Sequence, residues 1–230
     1  MKIGILGTGV VGQTITEKLS QLGHSVMMGT RDKQTTLAKT GKDNFGRPAF
    51  SEWLKNNSNV QLGTYSEAAY FGEFLVNATS GTGSLDALKS ASENNLGSKI
   101  LLDISNPLDF SKGMPPTLTI CNTDSLGEQI QRTFPKLKVV KSLNTLTAYI
   151  MINPGVLPEP TNIFMNGNDS DAKSEVKKLL TSFGWNEKDI IDMGDITTAR
   201  GTEQILPIWV RLWSTLQTPM FNFKIVVSGK

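Results

Sequence analysis

The first twelve residues constrain this chain more than any other stretch. "KIGIL" (2–6) has the composition of a short buried strand, and Gly7-Thr8-Gly9-Val10-Val11-Gly12 follows without a break. "QTITEKLSQLG" then carries its apolar residues at helical spacing and stops at Gly23. A Gly-x-Gly-x-x-Gly is common in loops, but between a strand and a helix it marks a turn where backbone closely approaches a ligand. Gly7 permits the tight turn, Gly9 removes a side chain where the ligand comes nearest, and Gly12 lets the helix pack on the sheet. The amides of Val10, Val11 and Gly12 lack intrahelical acceptors and carry the positive end of the helix dipole. That suits a pyrophosphate.

The rest of the chain repeats the strand-then-helix pattern. "HSVMMG", "VQLG", "EFLVNAT" (73–79), "KILLDIS" (99–105) and "KVVKSL" (138–143) read as further strands. "EFLVNAT" is continuously apolar, as expected of a strand covered on both faces. A polar stretch runs from Arg31 to about residue 59, with an amphipathic piece at "AFSEWLKN". Thr64 with Glu67, and Ser125 with Glu128, have the spacing of capping boxes. "INPGVLPEPT" holds three prolines and marks a boundary near residue 150. Beyond it come a strand ("NIFMNG"), a helix capped near Asp169 and Ser170, a second strand ("DIIDMG"), and a helical segment interrupted by Pro207. The expected fold is α/β: a Rossmann-type doubly wound parallel sheet with a small C-terminal α/β extension. Residues 1–150 form the dinucleotide-binding domain in this reading. Residues 151–230 form a small part that packs on it and ends in a long helix.

A dinucleotide site that takes NAD shows a carboxylate about 20 residues beyond the glycines, on the ribose 2′-hydroxyl. Here Thr30 and Arg31 stand at the end of the second strand. A carboxylate would repel a 2′-phosphate, whereas a hydroxyl and a planar guanidinium bind one. The expected cofactor is therefore NADP(H). Asp32 is the complication, because a shifted turn would offer its carboxylate to the ribose instead.

Other chemistries are excluded by what is missing. The single histidine, His24, precedes the second strand, at the wrong end of the sheet. No Tyr-x-x-x-Lys pair is present, and the lone Cys121, expected to be semi-buried and inert, rules out an internal disulfide and a cysteine-rich metal site. No metal is expected. A formal net charge of +2 gives no reason to expect nucleic acid, and no stretch approaches the roughly 18 apolar residues of a membrane span. With no signal-peptide pattern, a cytoplasmic location is expected.

"IGILGTGVVGQTITEKLSQLGHSVMMGTRD" resembles the start of the NADP oxidoreductases that depend on coenzyme F420, and is also similar to the cytosolic NADPH-binding domain of the STEAP metalloreductases. "DISNPLDF", "VVKSLNTLTAYIM", "FMNGNDSDAKSEVKKLLTSFGW" and "DMGDITTARGTEQILPIWVRL" fit the same group, so the resemblance covers most of the chain. It implies that Thr8 through Gly12 hold the pyrophosphate and that Thr30 and Arg31 hold the 2′-phosphate. It implies further that Ser80 lines the ribose and nicotinamide side, and that Asn106, Pro107, Asn144 and Ala148 lie beside the nicotinamide.

No catalytic residue is assigned. Hydride transfer to a flavin-like ring needs mainly position and electrostatics from the protein. Reduction of a carbonyl usually needs a proton donor, for which Lys141 and Tyr149 are the candidates to watch. The leading reading is an NADPH-dependent oxidoreductase with F420, FMN or FAD as second substrate. The alternatives are a small β-hydroxyacid or imine dehydrogenase relative, which would carry an all-helical part after residue 150, and a non-catalytic NADP(H)-binding module. Trp209 and Trp213, with Leu206, Val210, Leu212 and Leu216, give the last helix a wide apolar surface. The resemblance implies pairing through this region, so a homodimer is expected.

Overall fold

The structure, a computed structural model, describes residues 1–42 and 46–228. Residues 43–45, within the polar stretch, and 229–230 lie outside the described residues.

Eight strands form one sheet: β1 (Lys2–Leu6), β2 (Ser25–Thr30), β3 (Gln61–Thr64), β4 (Phe74–Asn77), β5 (Ile100–Asp103), β8 (Lys138–Ser142), β9 (Ile163–Gly167) and β10 (Ile190–Asp192). Their order is β10-β9-β8-β5-β4-β1-β2-β3. Between β5 and β8, β6 (Leu108–Asp109) and β7 (Thr117–Leu118) make a separate antiparallel ribbon. The sheet is parallel throughout except where β9 runs against β8. The doubly wound, mostly parallel sheet is the expected one, and the reversal falls where the C-terminal extension joins it. Apolar pattern fixes which face a residue covers, but not the direction in which its strand pairs.

The pleat divides the core in two. Ile3, Ile5, Val76, Leu102 and Val140 face one side with Ile15 and Leu19 of α1 (Val10–Gln21) and Val176 and Leu180 of α9 (Ser170–Ser182). Leu6, Leu75, Leu101 and Val139 face the other. There they meet α4 (Tyr65–Phe71), α5 (Gly81–Ala91), α6 (Glu93–Leu96) and α7 (Leu126–Thr133) through Ala68, Leu88, Leu96 and Ile130. This alternation is why "LLD" and "VVK" look continuously apolar: successive residues serve opposite faces. The polar stretch contributes α2 (Lys33–Ala38) and α3 (Phe50–Asn56), whose Phe50 and Trp53 join the first face.

The short α8 (Ala148–Ile152) precedes the proline-rich loop, and the chain ends in α10 (Ala199–Gln204) and α11 (Leu206–Leu216), broken around Pro207. Leu206 and Val210 are buried within the chain, and Trp209 stacks on Phe221 and meets Trp213 at a tilt, with ring centroids 5.4 and 5.7 Å away. Beyond α11 the tail returns along the proline-rich loop, where Asn162 N–H donates to Phe223 O at 2.9 Å. Cys121 is exposed in the loop before α7, which corrects the semi-buried expectation.

The caps follow the sequence. Thr64 accepts from Glu67 N–H at 3.2 Å, and Glu67 accepts from Thr64 N–H at 2.7 Å, closing the box that starts α4. At α7 only half of the box forms: Ser125 accepts from Glu128 N–H, but the Glu128 carboxylate binds the Ser125 hydroxyl and Arg200 instead. Asp169 caps α9 through Ala172 N–H at 2.8 Å. Thr64→Ala should cost about 1 kcal/mol of stability, read as a lower urea midpoint with unchanged cooperativity. An unchanged midpoint would show that α4 is held by packing alone.

Candidate functional site

All of the expected site residues lie at or near the carboxyl ends of β1, β2, β4, β5 and β8, where an open α/β sheet leaves a crevice. The three glycines of the first turn stand there for different reasons. Gly7 has φ +117°, and a Cβ on it would come within 2.5 Å of Ala78 O. A Cβ on Gly12 would come within 2.3 Å of Gly7 O. Both are therefore demanded by packing. Gly9 is demanded by neither conformation nor contact. Its φ of −74° and ψ of −176° suit any residue, and a Cβ there would meet no protein atom within 4 Å. The absent side chain keeps space clear of protein.

Gly9 is also the N-cap of α1, and it offers no side chain to the first helical amides. No acidic residue stands in the first turn to take up the positive end of the dipole. The loop is braced from within by Gln13 Nε2, which donates to Thr8 O at 2.8 Å. Val10 and Val11 pack partly against the core, and Gly12 is buried. Their backbone, not their side chains, is what the turn presents.

Gly7, Thr8, Gly9, Arg31, Ser80 and the unforeseen Tyr65 line one cavity of about 190 Å³. Tyr65 follows Thr64 at the start of α4. Burial raises its phenol pKa, and the nearby Arg31 guanidinium acts in the opposite direction. Only the fold places Tyr65 beside Arg31. Thr30 is buried, and its hydroxyl is 2.7 Å from that of Thr36 on α2. Arg31 is exposed. Asp32 is engaged elsewhere: its carboxylate caps α2, accepting from Thr35 N–H at 2.6 Å, and that bond holds its pKa below the usual value. The carboxylate that complicated the sequence reading is committed to its own helix.

On the other side of β1 the structure joins Asn106 to Asn144. Asn106 Nδ2 donates to Asn144 O at 2.7 Å, and Asn144 Nδ2 donates to Asn106 Oδ1 at 3.0 Å and to Thr202 O at 3.2 Å. This leaves Asn144 Oδ1 buried with no protein donor. Such an acceptor is costly to leave unpaired and is met by an N–H or by water. Pro107 O is used within the fold, accepting from Thr119 N–H at 2.8 Å beside the β6–β7 ribbon. Ala148 begins α8 and is buried.

Beneath the asparagines lies a buried ion cluster. Lys141 on β8 is fully buried and reaches Asp103 Oδ2 on β5 at 2.7 Å, Ser105 O at 2.7 Å and Glu203 Oε1 on α10 at 2.9 Å. Burial alone would lower the Lys141 pKa; the two carboxylates outweigh it and raise it above the ordinary value. With all three donors engaged, this lysine has no proton to lend a substrate. Tyr149 is half exposed on α8, and His24 sits beside the N-terminus, at the far end of the sheet.

The fold and site define a doubly wound nucleotide-binding protein, and comparison makes the class specific. A family model for "NADP oxidoreductase coenzyme F420-dependent" matches residues 2–107. A crystal structure of a candidate F420-dependent NADP-reductase from Arthrobacter sp. FB24 is 53% identical. It covers 99% of this chain and 100% of its own, with a TM-score of 0.93. The chain belongs to the coenzyme F420-dependent NADP oxidoreductase family.

The rat metalloreductase STEAP3 is 26% identical over 212 residues, which make up 90% of this chain but only 38% of that protein. An imine reductase from Myxococcus stipitatus in complex with NADP+ shares the fold at 15% identity and a TM-score of 0.61, covering 94% of this chain and 64% of its own. The segment after residue 150 here is β9-α9-β10-α10-α11, not an all-helical part. Among the described residues, no helix is long and apolar enough to cross a membrane, and no cluster of metal-ligating side chains occurs.

Gly9→Val should leave thermal stability unchanged, because the new side chain enters open space. Gly12→Val should destabilise strongly, because it must displace backbone. Calorimetric melting of both variants checks the contrast, and equal losses would show that Gly9 too is a packing glycine.

Proposed function

We propose that the chain binds NADP(H) across the carboxyl edge of its sheet and passes a hydride to or from a flavin or deazaflavin. The observation that carries the cofactor reading is Gly9, a glycine that neither conformation nor packing requires, beside three unsatisfied helix amides. The pyrophosphate would lie on Val10, Val11 and Gly12. The adenosine half would enter the cavity lined by Arg31, Tyr65 and Ser80, with Arg31 and Thr30 on the 2′-phosphate side. Asn144 Oδ1, buried and unpartnered, would accept from the nicotinamide carboxamide.

When bound, the cofactor supplies the hydride; the protein supplies position. Among the described residues, no buried acid or base faces the proposed ring site with a proton to give, since Lys141 is saturated by acceptors. That poverty suits transfer to a ring that holds its own charge and protons better than reduction of a carbonyl. A cavity of about 460 Å³ between the β6–β7 ribbon and the α10–α11 bend is a place for such an acceptor. Pro115, Pro116, Leu118 and Pro207 give it apolar walls, and Arg211 is the one charged side chain among its lining residues. An acceptor with an anionic tail, as flavin nucleotides and the deazaflavin coenzyme carry, fits that lining.

We also propose that two copies pair through the last helix and tail. Ile208, Leu216, Ile225, Val226 and Val227 are all exposed, and apolar side chains gathered at one end of the chain suit an association surface. Light scattering should find a dimer at micromolar concentration, and Ile208→Glu should shift it to monomer by burying a charge. A monomeric unaltered chain would refute the pairing.

Arg31→Ala should weaken NADP+ by about ten- to 150-fold, since a charge-assisted contact is worth roughly 1.5–3 kcal/mol. The variant should leave NAD+ nearly unaffected. Calorimetric titration of both cofactors checks this, and an unchanged NADP+ affinity would remove Arg31 from the site.

A further inference from the structure

The cluster below the asparagine pair carries more than a structural role, because its charges do not cancel. Lys141 donates three hydrogen bonds, so it is an ammonium. Asp103 only accepts: Asn77 Nδ2 donates to its Oδ1 at 2.8 Å, the Ser105 hydroxyl at 2.7 Å and Ser105 N–H at 3.2 Å, while Lys141 takes Oδ2. Glu203 likewise only accepts, from Leu126 N–H at 2.8 Å, Gly127 N–H at 3.0 Å and Lys141. A proton on Glu203 would need an acceptor, and its neighbours are all donors; beside Asp103 the Ser105 hydroxyl alone could accept one, and it already accepts from Asn77 Nδ2. Both are therefore carboxylates, and the buried cluster carries one net negative charge.

Its neighbours do not remove that charge. The α7 amides offset part of it at Glu203, as a helix N-terminus supplies about half a unit. The adjacent ion pair of Glu128 and Arg200, at 2.6 Å, is neutral as a whole. The cluster also touches the frame of the proposed nicotinamide site directly. Asp103 and Lys141 hold the backbone of Ser105, which precedes Asn106. Glu203 follows Thr202, whose carbonyl accepts from Asn144.

We propose that Asp103, Lys141 and Glu203 bias the site toward the oxidised cofactor, whose nicotinamide ring is cationic, over the neutral reduced ring. The inference rests on the NADP(H) reading above. A buried charge is poorly screened, and one unit at roughly 10 Å through an effective dielectric of roughly 20 changes an equilibrium constant by about tenfold. The three residues act through the field at the ring and are positioning residues. Removing one negative charge should raise the reduction potential of the bound couple relative to that in the unaltered protein.

The test titrates the full chain separately with NADP+ and with NADPH. Asp103→Asn and Glu203→Gln should each weaken NADP+ relative to NADPH by about three- to tenfold, while a purely structural loss weakens both forms alike. If Asp103→Asn does not fold, Glu203→Gln carries the test, since its amide oxygen still accepts from Gly127 N–H and Lys141. Variants that bind both forms with an unchanged ratio overturn the inference and leave the cofactor reading intact. An unaltered chain that binds neither form overturns the cofactor reading itself.

Discussion

A fully buried ammonium must be answered within the protein, and much of this molecule is arranged around answering Lys141. Its three acceptors come from β5, from the loop that follows β5, and from α10. Glu203 in turn satisfies the first amides of α7. One side chain thus fixes the ends of two central strands, the loop bearing Asn106, and the helical segment that closes the chain. Removing a single partner from such a cluster costs about 3–5 kcal/mol, because a charge is then left unpaired in the interior. A hydride donor and its acceptor must be held in register, and small misplacements cost heavily in rate.

The other half of the crevice is organised by an absence. Between Gly7 and Gly12, which the packing of β1 and α1 requires, Gly9 leaves space that no protein atom fills. Around that space stand helix amides without acceptors, an exposed guanidinium and a half-buried phenol. The α2 carboxylate that could have opposed an anion is turned onto its own helix. Packing explains the outer two glycines; the proposed pyrophosphate is our account of the middle one.

Local features were legible in the sequence. The glycine turn, Arg31, the Thr64 cap and the break near Pro207 depend on residues within a few positions of one another. What could not be read involves partners far apart in the chain. Lys141 and Asp103 are separated by 38 residues, and nothing local to either announces the other. Tyr65 became a neighbour of Arg31 only through the pairing of β2 with β3, where Thr30 lies opposite Thr64. The antiparallel entry of β9 and the two-residue strands β6 and β7 were missed because pairing direction and very short pairings leave no periodic signal. Trp209 looked like a surface residue awaiting a partner, but the chain's own tail supplies Phe221 to cover it.

The most direct test of the account is a crystal structure of the chain grown with NADP+. The account predicts the pyrophosphate on the Val10–Gly12 amides over Gly9, the 2′-phosphate at Arg31, and the nicotinamide carboxamide donating to Asn144 Oδ1. A cofactor bound away from Gly9, or one whose nicotinamide lies nowhere near the Asn106–Asn144 pair, would contradict it.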